Sequence, residues 1–183
     1  MMGFKTYRLD HGTMFMEPRF VHGCSLERFK EYYREIVGDV GETELRIIGE
    51  DPRRLIVWLF DNEIVGHAIW HPSNTVAHPN GEPRECDDRR ILEEDLGVAG
   101  DFVELHEVWL RKDSRGRGFG SAFFDYFESM VKEMGYKHIV YYADHPAALA
   151  ICRARGYREG WGVELNGIRG EGGRFYVLAK ELT

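Results

Sequence analysis

A chain of 183 residues that is 43% hydrophobic and 30% charged is too apolar for disorder, and one domain of that length buries about 70% of the surface its unfolded form exposes. Its 24 Lys plus Arg against 31 Asp plus Glu leave a formal charge of -7, the wrong sign for nonspecific nucleic-acid binding. LIVWLF at 55–60 is the longest apolar run and too short to span a bilayer, the opening MMGFKTYRLDHG has no apolar signal core, and Cys24, Cys86 and Cys152 form no CxxC pair. We therefore expect one cytoplasmic domain with reduced thiols, without nucleic-acid or membrane partners; the sequence leaves a homodimer open.

In chain order, MFMEPRFV at 14–21 reads as a first strand weakened by Pro18. A helix over 25–37 follows, with Ser25 as cap, Leu26, Phe29, Tyr33 and Ile36 as its apolar face and Gly38 as its stop. RRLIVWLF and EIVGHAIW flank Asp61 and Asn62, the spacing of a two-residue hairpin turn. Residues 72–100 read as a long charged insertion with a short helix around Arg90 to Leu96. DFVELHEVWLRKD is a strand, and SAFFDYFESMVKEMG a helix with Phe123, Phe124, Phe127, Met130, Val131 and Met134 inward. HIVYYA is another strand, Pro146 opens a short helix that Gly156 ends, and GVELNGI with RFYVLAKEL forms a last hairpin around RGEGG.

Between the strand ending near residue 111 and the helix from 121 lies DSRGRGFGS, with Gly116, Gly118 and Gly120 alternating with Arg115, Arg117 and Phe119. Glycine permits close approach and positive φ, arginine supplies charge and donors, and a helix N-terminus favours an anion. The spacing is neither GxxxxGK[ST] nor the dinucleotide fingerprint, whose third glycine or alanine would fall on Ser121. It does satisfy [QR]xxGx[GA], as Arg115, Gly118 and Gly120.

On this motif the chain resembles the GNAT superfamily of acetyl-CoA-dependent N-acetyltransferases. HPAALAICRARGY at 145–157 follows that family's NxxAxxxYxxxGF pattern, with Ala148 and Gly156 in register and Tyr157 for the phenylalanine. The resemblance implies an α/β (α+β) fold with a central mixed, mostly antiparallel twisted sheet flanked by helices, whose fourth and fifth strands splay to form the CoA cleft. It also implies that main-chain N–H groups of Arg115, Gly116, Arg117, Gly118, Phe119 and Gly120, with the Ser121 hydroxyl, hold the CoA pyrophosphate. Val108, Trp109 and Leu110 would pair with the pantetheine arm. The amine acceptor, of a small molecule or peptide, is not named by the sequence. A second reading is a catalytically silent acyl-CoA-binding sensor or scaffold; a dinucleotide-binding oxidoreductase is disfavoured by the loop spacing.

Acetyl transfer requires the amine to lose a proton, because an ammonium has no lone pair. The family likeness places a glutamate on the fourth strand for this, and Glu104, eleven residues before Arg115, is the first candidate, with Glu107 second. Strand alternation puts the two on opposite faces. His106 shares the Glu104 face and can relay a proton. Where many family members have a tyrosine that protonates the departing thiolate, this chain has Cys152, read as apolar filler, which leaves water, Tyr141 or Tyr142 for that task; where they have asparagine it has His145. His67 and His71 would lie about 13 Å apart on one strand, too far to share an ion, so no metal is expected. The 72–100 segment carries seven acids against three arginines, a net -4 expected to draw cationic acceptors if it overhangs the site.

Overall fold

The computed structural model describes residues 6–8, 14–163 and 175–183. Its strands are β1 (Thr6–Arg8), β2 (Met14–Met16), β3 (Arg19–His22), β4 (Leu55–Phe60), β5 (Glu63–Asn74), β6 (Asp101–Leu110), β7 (His138–Ala143), β8 (Arg158–Val163) and β9 (Phe175–Glu181). Its helices are α1 (Leu26–Ile36), α2 (Glu42–Glu50), α3 (Cys86–Arg90), α4 (Phe119–Glu133) and α5 (Pro146–Ala154). β1 and β2 make a separate two-stranded ribbon, and the other seven strands run β3-β4-β5-β6-β7-β9-β8. The stretch expected as one first strand is thus two, broken at Glu17 and Pro18, because proline cannot donate to a ladder.

The chain divides into two compact units, Met1–Ile69 with Glu107–Tyr126 and Trp70–His106 with Phe127–Thr183. In the first, the antiparallel ladder β3-β4-β5 is closed by Asp61 (φ 50) and Asn62 (φ 65), the paired left-handed residues of a tight hairpin turn. LIVWLF is apolar without alternation because both faces of β4 are covered. Leu55 and Val57 join Phe29, Tyr32, Tyr33, Ile47, Ile48, Ile64 and Ile69 in one cluster, while Trp58 stacks on Phe123 at 4.7 Å.

The Ser25 side chain accepts from Arg28 N–H, as expected of the α1 cap. The buried face of α1 is Phe29, Tyr32 and Tyr33; Leu26, expected inward, is exposed in the first turn. α2 itself has no counterpart in the sequence reading, since GETELRIIGE offers only Ile47 and Ile48 as a buried pair.

In the second unit, β6 runs parallel to β7, pairing Val103, Glu104 and Leu105 with Ile139, Val140 and Tyr141. β9 then pairs antiparallel with β7 and with β8. The expected last hairpin starts earlier than its sequence suggests, at Arg158, and its turn RGEGG lies outside the described residues. α5 begins where the family pattern has asparagine, and His145 fills that post: its Nδ1 accepts from Ala147 N–H at 3.2 Å. Of the residues expected inward on α4, Phe123, Phe124, Phe127 and Val131 are buried, Met130 is half-buried and Met134, just past the last helical residue, is exposed.

The 72–100 segment departs most from expectation. β5 continues to Asn74, and α3 passes directly into a π-helical turn, Ile91–Asp95, which differs from the helix expected at Arg90 to Leu96. Ile91, Leu92, Leu96 and Val98 pack with Phe102, Val140, Val177 and Ala179, so this segment supplies part of a core. Gly160 on β8 leaves room for Ile91, where a Cβ would overlap it. Its charge is also spent internally: Asp88 on Arg84, Glu85 on His78, Glu93 on Arg89 and Asp95 on Arg90. Its three arginines pair with three of its seven acids at near-helical spacing, and the net -4 of the segment remains.

Glu128 on α4 is clamped by Arg155 at 2.9 Å and Lys180 at 2.6 Å. Burial pushes its carboxyl pKa up, but the two cations outweigh this and hold it below the ordinary glutamate value. A depressed folded value adds stability above the unfolded pKa that is lost as pH falls through the folded one. Glu128→Gln should therefore cost about 2–3 kcal/mol at pH 7, and the gap from the parent should close as pH drops below about 4.5, read by urea unfolding across that range.

Candidate active site

The loop expected to hold phosphate sits in the first unit. Lys112–Ser114 forms a 3-10 turn after β6, and the Arg115 N–H closes on Lys112 O at 3.3 Å, which takes this group out of the expected set of anion donors. Gly116 (φ 74) and Gly118 (φ 80) are left-handed, a conformation that L side chains rarely adopt, and no heavy atom lies within 4 Å of a Cβ built on either. Gly120, by contrast, already lies in α4.

The first ladder bond of α4 runs from Ala122 N–H to Gly118 O at 3.0 Å, so the N–H groups of Phe119, Gly120 and Ser121 precede the ladder at the helix's positive end. The arginine side chains are held by the protein: Arg115 Nε donates to Leu110 O at 3.1 Å, and Arg117 stacks on Phe60 and Phe119 at 4.6 and 5.1 Å. What the loop turns outward is thus backbone donors at a helix N-terminus beside two protein-held guanidiniums, an arrangement suited to an anion. On β6, Val108 and Leu110 are half-buried and Trp109 is 37% exposed. The pairing of β6 with β7 covers only Val103 to Leu105, so residues 108–110 lie beyond it.

Glu107, the second base candidate, is deep in the first unit. Its Oε1 accepts from His67 Nε2–H at 2.6 Å and its Oε2 from the Tyr33 hydroxyl at 3.0 Å. A carboxylate can only accept, so the His67 hydrogen is on Nε2 and Nδ1 takes the Tyr32 hydroxyl at 3.2 Å. Phe29, Tyr32 and Tyr33 ring the imidazole at 5.2–5.6 Å, and His67 is fully buried. Burial, joined by the Glu107 charge, pushes the Tyr33 hydroxyl pKa far up.

Glu104 belongs to the second unit. Its Oε2 accepts from Arg84 Nη2 at 3.1 Å, and its Oε1 lies 3.6 Å from His71 Nε2. All five Arg84 N–H groups have acceptors: Asn74 O at 2.7 Å, Asp88 at 2.7 Å, the Tyr142 hydroxyl at 2.9 Å, Ser73 Oγ at 2.7 Å and Glu104. The Tyr142 hydroxyl donates to Asp88 Oδ1 at 2.7 Å, which withdraws its proton from the set considered for the thiolate. Burial pushes the Glu104 pKa up, yet the polar and charged neighbours His71, Arg84 and His106 together bring it down to about 2. Asp88, fully buried, is shifted the other way by burial.

One expectation needs correction. Glu104 and Glu107 were placed on opposite faces by alternation, but their partners His71 and His67 are four residues apart on β5, the spacing that returns a side chain to one face. Both glutamates therefore emerge on the same side of β6, and the two-residue rhythm is interrupted between them. The sequence does not assign His67, His71 or Arg84 to the glutamates, since each pairing joins residues 20 to 40 positions apart, and Tyr142 reaches Arg84 and Asp88 across more than 50; only the 84/88 spacing is a local hint. Cys152 is fully buried, and burial pushes its thiol up to about 12, in keeping with filler.

A family model described as the acetyltransferase (GNAT) family matches residues 21–157. Comparison with curated protein sequences returns no match. Similar solved structures include a mosquito arylalkylamine N-acetyltransferase-like protein, 5b, at 14% identity and TM-score 0.65, covering 90% of this chain and 100% of that one. A Drosophila melanogaster polyamine N-acetyltransferase, described as catalysing formation of N-acetylagmatine, is 11% identical with TM-score 0.61 over 88% and 98% of the two chains. A chain of the NatC complex bound to Gag peptide and CoA is 10% identical with TM-score 0.66 over 92% and 100%. At such identities the likeness is one of fold.

The three thiols should separate by access. In the native protein a chromogenic disulfide reagent should titrate exposed Cys86 first and half-buried Cys24, whose pKa burial raises, more slowly. Cys152 should react only after denaturant is added; fast native labelling of it would contradict the filler role.

Proposed function

Because the chain belongs to the GNAT family of acetyltransferases, we propose that it is an N-acetyltransferase moving the acetyl group of acetyl-CoA onto a primary amine of a small molecule or peptide. The observation that carries the reading is the pair of left-handed glycines, Gly116 and Gly118, with open space at both Cβ positions immediately before α4. Pyrophosphate oxygens would take the N–H groups from Gly116 to Gly120, with the Ser121 hydroxyl beside them. The pantetheine amides would pair with the main chain of Val108, Trp109 and Leu110.

The neutral amine attacks the thioester carbonyl, and the tetrahedral adduct expels the CoA thiolate, which water protonates. Glu104, charged throughout the neutral range, is the base toward which His106, two residues on, relays the proton of the attacking nitrogen; that proton passes on to solvent and balances the one water gives the thiolate. Glu107 is the lesser candidate, because both its oxygens already hold hydrogen bonds. Arg84 fixes the Glu104 carboxylate in place, so residues 72–100 serve the site through positioning.

Gly118→Val should abolish acetyl-CoA binding in calorimetry. Because Gly118 has φ 80, the substitution strains the loop, so circular dichroism must show the fold intact. Unchanged affinity overturns the loop assignment. Glu104→Gln should lower kcat by about 10² to 10⁴ with acetyl-CoA affinity nearly unchanged, measured across polyamines, arylalkylamines and peptide N-termini. If Glu107→Gln has that effect and Glu104→Gln does not, the roles are reversed. CoA binding without turnover of any amine would leave a silent acyl-CoA-binding domain.

A further inference from the structure

His71, Glu104 and His106 present one ligand atom each, all within 4.8 Å of one another, on neighbouring strands of the second unit. The His71 Nδ1 lies 3.0 Å from Pro72 O, and a carbonyl can only accept, so Nδ1 carries the hydrogen. Nε2 is the ring atom turned to Glu104 Oε1, at 3.6 Å. A charge-assisted N–H···O bond closes to about 2.7–2.9 Å, so this contact is wider than a direct hydrogen bond. A tetrahedral metal with bonds of about 2.0–2.1 Å holds its ligand atoms about 3.3 Å apart, close to what is seen.

We propose that His71, Glu104 and His106 form a binding site for a divalent first-row metal ion, Zn²⁺ foremost. Two imidazoles and one carboxylate suit zinc with a fourth position left to water. The outer contacts are those that metal ligands require: Pro72 O fixes the His71 tautomer, and Arg84 holds the second Glu104 oxygen. Arg84 does not make the surroundings net positive, since Asp88 accepts from it at 2.7 Å. His71 is 3% exposed, while His106 is half-buried and gives the ion a way in. The metal excluded by sequence was one shared by His67 and His71; the set here takes His71 with two groups of β6 instead.

Binding does not depend on the acetyl-transfer reading, although its consequence does: an ion on Glu104 and His106 occupies the groups that would take the proton, so it inhibits. The experiment titrates tag-free, chelator-treated protein with Zn²⁺ in a calorimeter and with Co²⁺ in a spectrophotometer. One ion per chain should bind, with the absorption of a four-coordinate Co²⁺ centre. His71→Ala, Glu104→Gln and His106→Ala should each weaken Zn²⁺ by at least about tenfold, the double histidine variant should not bind, and His78→Ala, in the neighbouring His78, Glu85 and Asp88 group, should leave affinity unchanged. Half-buried His106 keeps the test valid if replacement of His71 unfolds the chain. Absence of saturable binding, affinity insensitive to His106→Ala, or loss of binding in His78→Ala overturns the proposal.

Discussion

The buried guanidinium of Arg84 is the interaction on which the second unit depends. Five donors leave the solvent at once, and each meets an acceptor: two carboxylates, two hydroxyls and a main-chain carbonyl. Only arginine offers that many fixed directions on one group. Asp88 and Glu104 are both carried into the interior on its charge, and without it two carboxylates would face each other across a region of low polarity. Its side chain also lies over Phe102 at 5.1 Å, so the same residue spans the apolar cluster and the polar one. An insertion that composition alone marks as a solvated loop is thereby tied to the strand carrying the site.

The first unit solves a comparable problem without a buried cation. Glu107 sits on an imidazole and a phenol, the imidazole in turn takes a second phenol, and every proton in this chain of contacts has one place to be. Around it Arg111 lies over the Tyr32 ring at 5.5 Å and donates to Glu35 at 2.6 Å. A network so fully satisfied is stiff, and it fixes α1 on the strands beneath it. The two glutamates of β6 therefore differ in kind. Glu107 is enclosed by hydrogen-bonding partners on both oxygens, whereas Glu104 has one oxygen held by Arg84 and the other 3.6 Å from His71 Nε2.

Family and fold are carried by different signals than the choice of acceptor amine. The glycine loop and the start of α4 are set by backbone conformation, with Gly116 and Gly118 left-handed, and backbone demands are written locally. Acceptor choice depends on side chains brought together from distant segments, and solved relatives of this fold, described as acting on arylalkylamines or agmatine or bound to a peptide, share only 10–14% of their residues with this chain.

Local rules were enough for the hairpin turn at Asp61 and Asn62, the Ser25 cap, the limits of β7 and the loop from Arg115 to Ser121, because each depends on residues within a few positions of one another. The face of α1 was read wrongly at Leu26, and α2 was missed, because burial there is decided by which neighbour arrives to cover a side chain. The same holds for the side on which Glu104 and Glu107 emerge. Alternation predicts opposite faces for an unbroken strand, and only the tertiary pairing with His71 and His67 reveals that β6 does not keep that rhythm. By itself the sequence determined the glycine-arginine loop before α4, the hairpin of β4 and β5, and the β6-α4-β7-α5 succession. Tertiary structure alone decided that residues 72–100 fold inward on Arg84, since of the acceptors for its five donors only Asp88 lies at a local spacing, and Ser73, Asn74, Glu104 and Tyr142 are brought in from other segments.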